Sequence, residues 1–171
     1  MVHPSAPNGG EVLQGHACMG SPENDLPPDA ESGDVSLAAA LGAATRRGWT
    51  EGLGFELLVM TREEVVVEWC VDERQLQPQG IVHGGVYASV VETCCSLGAL
   101  LAAPKGKAVV GVENHTSFIR PVREGRLRAR AIPLHAGRRA QLWECSIVDQ
   151  SQRLVATGRL RVLCVDAALG Q

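Results

Sequence analysis

Apolar residues recur with a period of two in 65–71, where Val65, Val67, Trp69 and Val71 share one face, and the preceding run 55–60 is equally β-rich. A short polar turn joins the two runs into a predicted hairpin. Residues 72–83 are polar and read as a loop. The segment 84–103 has the length of a helix, small residues along it and a stop at Pro104. Four strand-like runs follow, at 107–119, 125–135, 140–149 and 154–165, separated by turns containing Gly, Arg or Gln, with no further helix among them. A doubly wound parallel fold needs repeated crossover helices, so this order predicts an antiparallel sheet wrapped around one central helix, an α+β architecture. That helix is apolar nearly all round, which calls for the sheet on one side and a partner subunit near the other.

Upstream of the hairpin the pattern fades. Residues 1–33 hold five of the nine prolines and no apolar period, and are expected to form a disordered or loosely draped tail. Asp34 is placed to cap a short Ala-rich helix over 35–47, with Arg46 and Arg47 in its last turn and Gly48 just beyond. A chain of 171 residues then has room for one domain, 34–171, with its core at about 50–165.

The six cysteines contain no C-x-x-C pair, and no apolar signal segment precedes them, which argues against a disulfide framework or a zinc site and for a cytoplasmic protein. The five histidines show no metal-ligand spacing, so neither a metal nor any other cofactor is expected. Glu92 interrupts the apolar run 84–104, so that run does not read as a membrane span. The net charge of −3 conceals six acids and no bases in residues 1–34, which leaves the remainder at +3. Twelve of the 16 Lys and Arg follow residue 104, a balance suited to an anionic ligand. With six aromatic residues and no long basic run, nucleic acid is not the expected partner.

Glu92 carries the sharpest chemical signal. An ionised carboxylate on a buried helix face costs several kcal/mol, about as much as an unpaired buried polar group or more, unless something compensates it. Two compensations are open: an Arg from a neighbouring strand, or a perturbed, catalytic role. At the start of the same helix, Gly84 and Gly85 offer free N–H groups, a positive dipole end and no Cβ, which are oxyanion-hole properties or simply those of a tight turn. His83 reads as a residue orienting the loop. Cys94 and Cys95 read as core filler, and Arg126, Arg128 and Arg130 as the wet face of a strand.

The stretch Gly80-Ile81-Val82-His83-Gly84-Gly85-Val86-Tyr87, Glu92 nine residues after His83, and the run from Asn114 to Val122 (NHTSFIRPV) resemble the hotdog-fold acyl-CoA thioesterases. The branch is that of the phenylacetate-pathway and 4-hydroxybenzoyl-CoA thioesterases, whose acid lies on the central helix, and the likeness covers most of 50–165. It implies hydrolysis of a small or aromatic acyl-CoA, with Glu92 as nucleophile or general base and the Gly84 N–H polarising the carbonyl. Gln77 takes the position of the Asn or Gln that holds the carboxylate or water, and Ser96 that of a helix Thr or Ser beside the acid. Arg120 takes a position meeting the nucleotide of coenzyme A, with Gly85 beside the substrate. Arg138 and Arg139 replace hydroxyl residues of the branch, and their cations are candidates for the CoA phosphates. Two other activities keep the same groove: an acyl-thioester hydratase or dehydratase, which wants a His and an acid together, and a non-catalytic acyl-CoA-binding protein.

Helix geometry adds an assembly. Gly84 and Glu92 are eight residues apart, or roughly 12 Å along the axis, too far for one carbonyl to meet both. Two antiparallel helices across a two-fold axis bring the Gly84 end of one chain to Glu92 of the other. The expected state is therefore a homodimer with shared sites, which the resemblance extends to a dimer of dimers.

Overall fold

The computed structural model describes residues 48–167; the expected tail 1–33 and helix 35–47 lie outside the described residues. Six strands form one antiparallel sheet in the order β1-β2-β4-β5-β6-β3. They are β1 (Glu56–Met60), β2 (Val65–Cys70), β3 (Lys107–Phe118), β4 (Arg126–Ala136), β5 (Ala140–Asp149) and β6 (Leu154–Asp166). A short helix α1 (Gly48–Leu53) precedes them, and the long helix α2 (Gly84–Ala102) lies between β2 and β3 against the inner face.

Alternation along the strands decides which face is buried. Leu127, Ala129 and Ala131 of β4 turn inward with Trp143, Cys145 and Ile147 of β5, and all six are fully buried with Val90, Val91, Cys94 and Cys95 of α2. Gly98 of α2 has no Cβ because the Trp143 ring occupies that place. The buried Gln141 is satisfied at both ends, its Nε2 donating to the Ala99 carbonyl at 3.0 Å and its Oε1 accepting from Trp143 Nε1 at 2.8 Å. The outer face carries ion pairs: Arg126 and Arg128 with Glu68, Arg130 with Glu64, Arg159 with Glu144 and Arg161 with Glu113. The antiparallel sheet around one central helix is thus the architecture expected from the pattern.

Three local features differ from expectation. Gly48, with φ +61°, opens a further helix, α1, where the core was expected to begin directly. The loop 72–83 contains a 3-10 turn, Glu73–Gln75, capped by Asp72, and the buried Gln75 side chain ties it to the Leu53 carbonyl at 2.8 Å. Cys70 is disulfide-bonded although no disulfide framework was expected, whereas Cys94, Cys95, Cys145 and Cys164 are free.

On length and composition alone α2 could cross a membrane. Here it is the core helix of the sheet, and Tyr87, Val90, Val91, Cys94, Cys95 and Leu97 are buried along it.

Candidate active site

The site begins where loop 72–83 turns into α2. Backbone bonds from Gln77 N to Ile81 O and from His83 N to Gln75 O, each 2.8 Å, fold this loop back on itself. Gly80 sits at its tip with φ +70°, a conformation that favours glycine. Arg123 clamps the tip from outside, donating Nη1 to the carbonyls of Gln79 and Gly80 at 3.1 Å each. Val82 N donates to Val122 O at 2.8 Å, so the helix entry is docked on the segment after β3.

His83 is the N-cap of α2, and its Nδ1 accepts the Gly85 N–H at 2.9 Å. The two glycines therefore serve different ends. The Gly85 N–H is spent on the cap, and a Cβ there would press on His83 Nδ1 at 2.9 Å. The Gly84 N–H, first in the helix, has no acceptor among the described residues. The Phe118 ring lies against Gly84, 2.8 Å from where a Cβ would stand, and pairs with the Tyr87 ring at a centroid distance of 6.2 Å. Tyr87 OH is buried without a partner among the described residues, and burial pushes its pKa up to about 12.

Two turns along the helix, half-buried Glu92 faces β3, the strand at the sheet edge. Its Oε2 accepts from Asn114 Nδ2 at 3.1 Å, and its Oε1 lies over the backbone of Gly111, where a Cβ would collide with it. No Lys or Arg among the described residues pairs with Glu92. The arginine that a purely structural Glu92 would want is therefore not found among the described residues.

A bulge makes this arrangement. Gly111 pairs with Val162 and Glu113 with Arg161, so Val112 is the extra residue. Strict alternation would turn Gly111 and Asn114 to opposite faces; with Val112 bulged, both point toward α2. This is why sequence reading, which counts in twos, missed Asn114, Gly111 and the Thr116 hydroxyl that donates to Asn114 Oδ1 at 2.7 Å. Within the strand-like run 107–119, Gly111 among valines was the available signal of a bulge.

The remaining candidates spread over the surface. Gln77 is half-buried on the loop, and Ser96 lies one turn beyond Glu92. Exposed Arg120 donates Nη1 to the Leu154 carbonyl at 2.8 Å, at the end of β3 nearest the start of α2. Arg138 and Arg139 occupy the exposed turn between β4 and β5, beside Cys164 and hence at the opposite end of the sheet. One chain does not bring these arginines together. A cavity of about 300 Å³ lined by Leu53, Glu68, Trp69, Arg74 and Gln75 touches none of the candidate residues.

The free thiols of α2 are not poised to react. Hydrogen bonding with Cys145, followed by burial, holds Cys94 and Cys95 well above the ordinary thiol range. Among the described residues no group of His, Cys, Asp and Glu is arranged to hold a metal ion.

Residues 79–156 match the family model described as the thioesterase superfamily. The proofreading thioesterase EntH of Klebsiella pneumoniae is 38% identical over 125 residues, covering 71% of this chain and 89% of that protein. Among solved structures, a thioesterase from Haemophilus influenzae superposes with a TM-score of 0.69 at 32% identity, covering 74% of this chain and 88% of its own. The AziG protein of S. sahachiroi gives a TM-score of 0.68 at 37% identity, covering 70% and 98%.

Proposed function

The chain belongs to the hotdog-fold thioesterase superfamily, and from that premise we propose that it hydrolyses a small or aromatic acyl-CoA, with Glu92 as the reacting carboxylate and the Gly84 N–H as oxyanion donor. The observation that carries this reading is Glu92 itself: a carboxylate on the core helix, held by an amide and by no cation among the described residues, open toward the edge strand. As nucleophile it attacks the thioester carbonyl; as general base it activates the attacking water. An N–H without an acceptor at a helix start is suited to the charge developing on the carbonyl oxygen. Gln77 and Ser96 are proposed to hold the water or substrate beside Glu92. His83 is committed to the helix cap through Nδ1, and no ion pair joins a His to an acid among the described residues, as hydratase chemistry would want.

The site is proposed to be completed by a second copy. The edge strand β3 is exposed over 110–115, with Val110 and Val112 about half exposed. Pairing β3 with itself about a two-fold at His115 sets Asn114 opposite the partner's Thr116. With Val112 bulged as it is against β6, Gly111 then falls opposite the partner's Phe118. All paired side chains face the same way. Since Phe118 lies on Gly84 and Gly111 lies under Glu92, this register carries the partner's Gly84 to Glu92. The two-fold also brings Arg120 of one chain to the end of the paired sheet that holds the partner's Arg138 and Arg139, a cationic rim for the CoA nucleotide.

Turnover of a panel of acyl-CoAs, followed by release of free thiol, tests the function. Wild type is expected to release thiol, and Glu92→Gln to lose most of kcat with a smaller change in KM. Arg120→Ala, and Arg138→Ala with Arg139→Ala, are expected to raise KM for acyl-CoA and to leave acyl-pantetheine thioesters, which lack the nucleotide, nearly unaffected. Near-normal thiol release by Glu92→Gln would make Glu92 structural, and no release from any member of the panel would favour a binding protein.

A further inference from the structure

Glu92 is held from β3 as well as by its own helix, through a side chain whose polar atoms are all engaged. Asn114 Nδ2 donates to the Ala88 carbonyl at 3.0 Å and to Glu92 Oε2 at 3.1 Å. Its Oδ1 accepts from the Thr116 hydroxyl at 2.7 Å. The Ala88 carbonyl decides which end of the amide faces α2, because Oδ1 there would set two acceptors against each other. Thr116 in turn has its room from Gly158 on β6, where a Cβ would lie 2.8 Å from the hydroxyl oxygen. Gly158, Thr116, Asn114 and Glu92 thus form one connected line from β6 across β3 to α2.

The consequence is that the two carboxylate oxygens are not equivalent. Oε2 is engaged by the amide, whereas Oε1 rests over Gly111 and receives no hydrogen bond among the described residues. An amide donor fixes the rotation of the carboxylate and leaves the lone pairs of Oε1 for the reaction.

We propose that Asn114 is a positioning residue that presents Oε1 of Glu92 as the reacting atom, with Thr116 orienting the Asn114 amide. This rests on the reading of Glu92 given above. If Glu92 is the nucleophile, Oε1 bonds to the acyl carbon as the C–S bond breaks and the thiolate leaves to take a solvent proton. Water then cleaves the mixed anhydride to the free acid, restoring the carboxylate. If Glu92 is the base, Oε1 takes a proton from the water that attacks the acyl carbon, and that proton passes to the departing sulfur. In either route Oε2 keeps the Asn114 hydrogen bond, so the bracket need not rearrange during turnover.

The test compares kcat, KM and Tm for Asn114→Ala, Thr116→Val, Thr116→Ser and Glu92→Gln on one acyl-CoA that wild type hydrolyses. Asn114→Ala is expected to lower kcat by roughly tenfold or more, the scale of a hydrogen bond to a charged group, with KM within about twofold. Thr116→Val should move kcat the same way by less, and Thr116→Ser, which restores the hydroxyl, should recover it. In the Glu92→Gln background, Asn114→Ala should cause no further loss. If Glu92→Gln is inactive while folded Asn114→Ala keeps wild-type kcat, or changes KM alone, the bracket is overturned and Glu92 stands. If Glu92→Gln itself is active, it is the reading of Glu92 that has failed. Should Asn114→Ala not fold, the Thr116 pair decides: equal kcat for Val and Ser overturns the proposal.

Discussion

Gly111 and Glu92 are in contact across β3 and α2: carboxylate oxygen Oε1 occupies the place that a side chain at 111 would fill. The glycine is thus a clearance for the acid. Gly111→Ala is expected to leave the fold in place, because β3 is an edge strand and the glutamate side chain can move. The move displaces Oε1, and a misplacement of about 1 Å at a reacting atom costs on the order of a hundredfold. Steady-state kinetics beside a melting curve check this; wild-type kcat with normal Tm would show that Oε1 need not sit over residue 111.

The start of α2 allows the proposed oxyanion donor to be removed without breaking the helix. Gly84 is the first helical position, where proline is favoured because the N–H has no helical acceptor. His83 already has φ −66° and ψ 135°, the extended conformation required before a proline. Gly84→Pro should therefore fold and lose roughly 10²–10³ in kcat, the range for one oxyanion donor. Gly84→Ala keeps the N–H and only displaces the exposed Phe118 ring, so it should retain more activity than the proline variant. Equal activity of the two would deny the N–H a role.

The sheet and central helix were legible because each element carries its own period: Val65, Val67 and Trp69 count in twos, and 84–103 is too long and small-residued for a strand. The bulges at Val112 and Leu134 were not, since a single extra residue leaves composition unchanged and only partner registers reveal it. Helix α1 escaped because Gly48 and Gly52 are poor helix formers, and tertiary ties such as Gln75 to Leu53 hold it. At the site, Glu92 stood out as a lone charge among apolar residues. Asn114 did not, because its face depends on the Val112 bulge. The separation of Arg120 from Arg138 and Arg139 needed the strand order, which no local pattern contains.

Acid sensitivity should arise at the turn between β5 and β6. The Arg153 side chain, followed by the Arg153 and Ser151 N–H groups, lowers the pKa of Asp149 below its ordinary value. The folded pKa is thus depressed, so the stabilisation is present above the unfolded value of about 3.9 and is lost as pH falls through the folded one. Asp149→Asn should melt below wild type at pH 7, and the gap should narrow on acidification below about pH 4. A gap independent of pH would mean that the ionised form of Asp149 contributes no more than the amide.

Shared active sites follow from the proposed β3 pairing and are testable at two levels. With the two-fold at His115, that residue faces its own copy, and directly opposed Cα atoms in an antiparallel pair lie about 4.5–5.5 Å apart, within disulfide reach. His115→Cys should cross-link the dimer under mild oxidation. Ser117→Cys, which faces the partner's Glu113, should not. For the site itself, Glu92→Gln and Gly84→Pro chains are unfolded and refolded together, neither being active alone. Random association makes half the dimers mixed, and each mixed dimer combines Glu92 of one chain with Gly84 of the other at one of its two sites. Activity should recover to roughly a quarter of wild type under isologous symmetry. If mixed dimers form, as mass measurement can establish, and activity does not return, both groups act within one chain and the shared site is wrong. The cross-link would then report assembly alone.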